Sequence, residues 1–366
     1  MVRVGLAVAA ASLWLVAIAA QEPRSVFRTG ADLVHVAVTV TDGRDNVIAD
    51  LEPGDFEILE DGAPQRLAQF ARSADAGAPE LHAALMLDTS ESMLADLDVS
   101  QRAAIRFLNR VPEAVDFTLV DFDTEVRVGR FGQDDFPWLV ERIRSRSVDG
   151  WTALYDAFAV YLDGAAGNGG RTVLVAFTDG GDSRSVLGFG DVVSIVRASD
   201  VTIHVVGLLA HAPSDARNLQ RVRLTRIAEE SGGRAVFPTS MKQIDEAYDR
   251  ILAEMQAQYS LGYVSTNARR DGRWRTVTIR VRASGRDGLT IRTRAGYYAP
   301  GDPERCGCLP PLPRRPDEMP MVRCHVRRPP AAPPVPCHPF TTASRSSATS
   351  RSRAIRPGRF RNWWTA

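Results

Sequence analysis

The sequence predicts an α/β protein: a doubly wound, mostly parallel six-stranded sheet, inserted in or flanked by a small all-β sandwich. Three observations carry that expectation. Between His82 and about Met255, short apolar runs alternate with amphipathic stretches, as in a parallel sheet covered by helices. On either side, over residues 33–72 and 259–300, the apolar period falls to two, the period of half-buried strands. The chain has 366 residues, 44% of them apolar, which is room for two domains with cores of their own.

At the amino end, Arg3 precedes an apolar run from Val4 to Ala20, followed by Gln21-Glu22-Pro23. With Ala17-Ile18-Ala19 before the boundary, residues 1–20 read as a secretory signal peptide, so the expected location is secreted or periplasmic. The competing reading is an uncleaved anchor, for which the run is marginal in length. No cysteine follows the run, which argues against a lipid anchor.

Residues 26–75 form the expected amino-terminal strand region. Val34, Val36, Val38 and Val40 alternate with His35, Ala37 and Thr39, giving one apolar face. Asp42-Gly43 supplies a turn, and Val47 and Ile48 begin a second short strand. Phe56 to Leu59, the Asp61-Gly62 turn and Arg66 to Phe70 give a hairpin signal. Such a unit buries one face and needs a covering layer. Ser73 to Pro79 reads as a linker.

Residues 80–258 form the expected α/β domain. Ala104, Phe107, Leu108 and Val111 fall at helical spacing; so do Leu154, Ala157, Phe158 and Tyr161, and Ile244 through Met255. Strands are expected at His82–Leu87, Phe117–Phe122, Val126–Val128, Thr172–Phe177, Val201–Leu208 and Ala235–Phe237. Residues 259–300 return to strand alternation at Tyr259, Leu261, Tyr263, then Val277, Ile279, Val281, with turns at Asp271-Gly272 and Asp287-Gly288. These strands are expected to pack with 26–75 as one sandwich split by the α/β insertion, because the ends of a domain usually lie close together.

Residues 301–366 differ in kind. They hold 12 arginines against 4 acidic residues, so the body of the chain is mildly acidic and nothing in it suggests a nucleic-acid partner. Pro, Arg and Ser dominate and periodicity vanishes, the composition of a disordered tail. The abrupt change also fits an out-of-frame translation of a GC-rich gene, Lys242 being the only lysine of the chain. Cys306, Cys308, Cys324 and Cys337 all lie here, without the paired spacing of a zinc ribbon.

The stretch from His82 to Met93 is the candidate site. An apolar strand stops at Asp88 and is followed by Ser90 and Ser92, placing hard oxygen donors at a sheet edge. Alone, Asp-Thr-Ser-Glu-Ser is also ordinary helix-capping chemistry. A second buried strand, Thr172–Phe177, ends at Thr178-Asp179-Gly180-Gly181, and Thr152 precedes an amphipathic helix in Asp149-Gly150-Trp151-Thr152-Ala153-Leu154. Loops at the carboxyl ends of neighbouring strands of a doubly wound sheet converge on one crevice. Asp88, Ser90, Ser92, Thr152 and Asp179 are therefore expected to face one point.

These motifs, in this order, resemble the metal-ion-dependent adhesion site of von Willebrand factor type A domains. The flanking Asp-Phe-Glu-Ile-Leu-Glu-Asp-Gly at 55–62, Leu-Gly-Tyr at 261–263 and Gly-Tyr-Tyr-Ala-Pro at 296–300 extend the resemblance, over about 26–300, to secreted bacterial proteins of the von Willebrand factor A-related kind. Glu91 stands where many members have Gly, and Trp151 replaces the second Gly of a Gly-Gly-Thr loop. The resemblance implies that Ser90, Ser92 and Thr152 bind a metal directly, and Asp88 and Asp179 directly or through water. Mg²⁺ is the expected ion, with Mn²⁺ and Ca²⁺ also admitted, and the expected partner is a protein that supplies an Asp or Glu to the metal.

The expected function is thus a non-enzymatic binding or adhesion protein. Two alternatives stand beside it. A metal-dependent hydrolase would use the same oxygens, but a nucleophilic serine needs a base, and neither His82, His204 nor His211 lies in a supporting motif. A structural spacer would leave binding to the edges of the sandwich.

Overall fold

The computed structural model describes residues 33–301 apart from 112, 167, 168, 284 and 287. The segment read as a signal peptide and the arginine-rich tail from residue 302 lie outside them. No helix among the described residues is long and apolar enough to cross a membrane.

The chain begins with β1 (Leu33–Thr41), β2 (Phe56–Glu60), β3 (Ala63–Gln65) and β4 (Leu67–Arg72). It then builds β5 (Leu81–Asp88), α1 (Leu97–Leu108), β6 (Ala114–Phe122), β7 (Val126–Gly132), α2 (Phe136–Arg144) and α3 (Leu154–Ala165). β8 (Arg171–Thr178), α4 (Phe189–Ala198), β9 (Thr202–Gly207), α5 (Ser214–Glu230), β10 (Ala235–Val236) and α6 (Met241–Gln256) follow. β11 (Tyr259–Val264), β12 (Trp274–Val281), β13 (Thr290–Arg292) and β14 (Gly296–Tyr298) close the described chain.

The six-stranded sheet has the order β10-β9-β8-β5-β6-β7, parallel except for the β6–β7 hairpin at one edge. β5 and β8 lie side by side at its centre. Both are apolar at nearly every position because both faces are covered. On β5, Leu81, Ala83, Leu85 and Leu87 pack with Phe107 of α1 and Tyr248 of α6, while Ala84 and Met86 point to Phe158 of α3 and Val192 of α4. The chain winds outward from β5 through β6 and β7, returns to β8, and winds the other way.

The flanking strands make two four-stranded sheets, β13-β1-β11-β4 and β14-β12-β2-β3, each joining strands from before and after the α/β segment. Val34, Val36, Val38 and Val40 of β1 share a core with Phe56, Ile58, Tyr259, Leu261, Val277 and Ile279. The Phe56 and Tyr259 rings meet across the two sheets with centroids 5.1 Å apart. Buried Glu60 ties the layers together, accepting from Tyr263 and Tyr297 hydroxyls at 2.9 Å each and pairing with Arg275 at 3.2 Å.

Three local expectations are corrected. Val47–Ile48 forms no strand but a single bridge from Thr41 to Val47; the segment is held instead by the Tyr259 hydroxyl, which donates to Ile48 O and accepts from Leu51 N. The hairpin partner of β2 is Ala63–Gln65, across a turn in which Asp61 and Gly62 both have positive φ (47° and 83°), the geometry of a tight hairpin turn. The chain then changes sheet at Arg66, and β4 pairs with β11 rather than with β2. Finally, α2, α4 and α5 carry no counterpart in the helical reading of the sequence. In α5 only Leu224, Ile227, Ala228 and Glu230 are buried out of seventeen residues, too sparse a stripe to stand out.

Candidate metal centre

β5 ends on Asp88, whose side chain is wholly buried. Its two oxygens are held from opposite sides. Ser90 donates to Oδ1 through its backbone N (3.0 Å) and its Oγ (2.6 Å), and Thr178 Oγ1 at the end of β8 donates to Oδ2 at 2.6 Å. Thr178 Oγ1 in turn accepts from Gly180 N at 3.0 Å, so the end of β5 and the loop after β8 form one hydrogen-bonded unit. Ser92 is exposed, with its Oγ 3.1 Å from Ser90 Oγ.

Asp179 is the next residue after that unit and is 5% exposed. Its Oδ1 accepts from Gly181 N at 2.7 Å. The turn depends on Gly180, which has φ +78° and lies so close to α5 that a Cβ would come within 2.8 Å of Leu224 Cδ1.

The third loop brings Thr152, also 5% exposed, beside the other two. Thr152 N donates to Ser183 Oγ at 3.0 Å, and its O accepts from Ser183 N (2.9 Å) and Arg184 N (3.0 Å). Glu91 N donates to Gly150 O at 3.1 Å and Asp149 N to Thr89 O at 2.9 Å, stitching the Thr152 loop to the Ser90 loop. Gly150, at φ +60°, leaves no room for a Cβ beside Thr124 Oγ1, and that hydroxyl accepts from Trp151 N at 2.9 Å. All five expected residues thus lie on three mutually bonded loops at one edge of the sheet. Thr152 is tied there by its backbone, whereas Asp88, Ser90 and Ser92 are joined by their side chains.

The electrostatics of this cluster are unbalanced. Burial, and then the charge of Asp179, push the Asp88 carboxyl up to about 7, against the lowering effect of the hydrogen bonds from Ser90 and Thr178. Among the described residues no Arg, Lys or His is ion-paired to Asp88 or Asp179. Nor is there, among them, a group of three or more His, Cys, Asp or Glu arranged to hold a metal; the donors here are two carboxylates and three hydroxyls. Such an all-oxygen set suits a hard divalent cation. Neighbouring ligands at about 2.1 Å on an octahedron stand about 3.0 Å apart, and the Ser90–Ser92 separation of 3.1 Å matches that edge. The residues present fit a divalent ion.

The supporting residues carry a weaker signal in the sequence. Within Thr178-Asp179-Gly180-Gly181 the carboxylate of Asp179 stands out as a metal donor, and Thr178 does not. Asp156 accepts from Val186 N and Leu187 N, and Asp182 accepts from Tyr155 N and Ser185 Oγ, fixing the loop that grips Thr152. The Asp182-Ser183-Arg184-Ser185 run, rich in residues that bond local backbone, was the available signal.

His204 is 2% exposed inside β9 and His82, on β5, faces Asp116 at 3.0 Å, whereas His211, after the carboxyl end of β9, faces Asp96 at 2.9 Å in the segment that follows Ser92. A cavity of about 710 Å³ adjoins Leu162 and Ala166 at the far end of α3 from Thr152.

Residues 83–181, the stretch containing all five oxygens, match the family model of the von Willebrand factor type A domain. The chain carries a von Willebrand factor type A domain. No curated protein sequence matches the chain. Among solved structures, the PilB minor pilin from Streptococcus sanguinis is similar at 13% identity and TM-score 0.41, over 50% of this chain and 63% of that one. A von Willebrand factor type A protein from Catenulispora acidiphila is similar at 12% identity and TM-score 0.42, over 75% of each chain. The vWF domain of the type V pili tip protein Mfa5 from Porphyromonas gingivalis is similar at 12% identity and TM-score 0.40, over 48% of this chain and 95% of that one. The matched residues run from β5 to the loop after β8, and the loops at the carboxyl edge of these strands are those just described.

Proposed function

We propose that the chain is a secreted or periplasmic, non-enzymatic binding protein that engages a protein partner through a divalent cation, Mg²⁺ first, bridged to an Asp or Glu of that partner. The observation that carries this reading is the Asp88–Asp179 pair, two neighbouring carboxylates beside the hydroxyls of Ser90 and Ser92 with no basic side chain paired to either among the described residues. A cation held there supplies the missing positive charge and an electrophilic contact for an incoming carboxylate. Ser90, Ser92 and Thr152 contribute neutral oxygens, so the inner shell leaves the ion short of full neutralisation and receptive to one more anion. Ser92 is exposed, which leaves this end of the cluster open to solvent and to an incoming anion. The chain's own work is rigid positioning: strand ends β5 and β8 set the carboxylates, and the Ser183–Arg184 backbone sets Thr152.

Binding is preferred to catalysis because, among the described residues, no His, Lys or Tyr is hydrogen-bonded to Ser90 or Ser92, and the carboxylate that accepts from Ser90 Oγ, Asp88, is itself one of the proposed metal ligands. The test is calorimetric titration of Mg²⁺ into the full chain, Asp88→Ala and Ser92→Ala. Both variants are expected to lose about tenfold or more in affinity, the scale of losing a group that holds a metal. Ser92 is exposed, so its variant keeps the fold; unchanged Mg²⁺ affinity in both variants sinks the site.

A further inference from the structure

The loops that carry the five oxygens also carry exposed apolar side chains. Leu94 is 74% exposed, Trp151 66% and Val186 89%. Single exposed apolar residues are ordinary on a protein surface, whereas contiguous ones mark a contact site. Here backbone hydrogen bonds tie the loops that carry them to one another and to the loops of the site. Leu94 N donates to Glu91 O, Glu91 N to Gly150 O beside Trp151, Arg184 N to Thr152 O, and Val186 N to Asp156 Oδ2 in the first turn of α3. The exposed charge on the same loops is mainly negative, Glu91 and Asp149 against Arg184.

We infer that the partner segment, if the metal-bridged reading above holds, is a peptide stretch in which the acidic residue is accompanied by a large apolar side chain seated on Trp151, Leu94 and Val186, and by a Lys or Arg facing Glu91. A metal–carboxylate contact is the same for every Asp or Glu, so it cannot choose among partners. Discrimination has to come from neighbouring groups that reward one sequence and penalise another. Trp151 is suited to the first task. Tryptophan is enriched among the residues that dominate binding energy, and this one sits on a loop already fixed by Gly150 and Thr124, which lowers the ordering cost of contact. Glu91 is suited to the second: an acidic segment approaching without a cation would meet Glu91 and Asp149 as like charges. Both residues depart from the glycines of the resembling motif, so the specificity they confer belongs to this chain.

The test is selection of short phage-displayed peptides, randomised around a fixed central Asp or Glu, on the full chain in Mg²⁺ and in EDTA. The wild-type chain is expected to enrich, in Mg²⁺ only, peptides with a large apolar residue and a Lys or Arg near the acid. Trp151→Ala is expected to lose the apolar preference and Glu91→Gln the basic one, while both keep Mg²⁺-dependent capture. A selected peptide is expected to bind Trp151→Ala about tenfold more weakly, the effect of losing a central aromatic contact. Trp151 and Glu91 are both exposed, so neither substitution disturbs the core. Mg²⁺-dependent capture without flanking preference, or with the same preference in Trp151→Ala, overturns the inference and leaves the metal bridge standing. Capture indifferent to EDTA overturns both.

Discussion

Thr178→Val removes one hydroxyl from the centre of the candidate site while keeping its shape. In the native arrangement that hydroxyl donates to Asp88 Oδ2 at 2.6 Å and accepts from Gly180 N at 3.0 Å, and Thr178 and Asp88 are both fully buried. No water can take over either role. Losing a hydrogen bond to a charged group costs about 1.5–3 kcal/mol, and stranding a buried amide N–H costs about 1–3 kcal/mol more. The expected destabilisation is therefore about 2.5–6 kcal/mol, a large part of the roughly 5–15 kcal/mol that holds a typical domain together. Thr178→Ser keeps the hydroxyl and loses only a methyl, at about 1 kcal/mol. Urea unfolding in EDTA, followed by circular dichroism, measures both variants without any contribution from bound metal. A Thr178→Val chain no less stable than Thr178→Ser would refute the argument that this hydroxyl holds the Asp88 carboxylate.

Two further predictions rest on other residues. His204 is fully buried in β9 among Glu254 of α6, Arg234 and Arg292, and burial, then the two arginines, push its pKa down to about 3. The unfolded chain takes up this proton below about 6.5 and the native one does not, so the contribution is intact above that pH and falls away as pH drops. The loss reaches about 2 kcal/mol at pH 5, measured as the difference in urea stability between pH 7.5 and 5 for the wild type minus that for His204→Gln; equal differences would contradict it. Gly180→Ala combines a left-handed backbone, costing about 1–2 kcal/mol, with a Cβ 2.8 Å from Leu224 Cδ1. It is expected to lower both stability and Mg²⁺ affinity, since the turn that seats Asp179 must shift; unaltered calorimetry would show that the turn does not set the site.

What the sequence revealed depended on how many faces of an element are buried. β5 and β8 were visible as continuous apolar runs because helices cover both sides, and their terminal aspartates marked the sheet edge where the loops converge. α3 and α6 were visible because each presents a regular stripe, Leu154 through Leu162 and Ile244 through Met255, to one face of that sheet. α5 was not, because its few buried residues cluster at its end and Arg221 and Arg223, which lie over the Phe237 and Phe189 rings, stand where an apolar stripe would have been read. The change of sheet at Arg66 was hidden for another reason. β3 and β4 are both short and alternating, and nothing local distinguishes a strand that continues a hairpin from one that crosses to the opposite layer. At the site, carboxylates and hydroxyls next to strand ends could be picked out, but Thr178 could not, since its role depends on the lateral pairing of β5 with β8.

That lateral pairing also explains why the sandwich does not obstruct the site. The α/β segment is entered at Leu81 and left at Gln258, and these points are joined at the amino edge of the sheet. Ser73 N and Oγ donate to Gln258 O at 3.0 and 2.7 Å, and Arg171 at the start of β8 donates to Ser73 Oγ at 2.5 Å and Met255 O at 2.8 Å. Further attachments run through Asp45, which pairs with Arg234 at 2.5 Å, and Arg292, which pairs with Glu254 at 2.5 Å. A parallel strand has its start and its end on opposite edges, so gripping β5 and β8 by their starts leaves their ends, with Asp88 and Thr178, facing away from the sandwich. The same asymmetry puts β5 and β8, whose following segments lead to helices on opposite faces of the sheet, at the point where the winding direction reverses. Loops diverge there and open a crevice. The position of the oxygens is therefore a consequence of topology, and the side chains that differ from one such domain to another, here Glu91, Leu94, Trp151 and Val186, are left free to choose what docks on them.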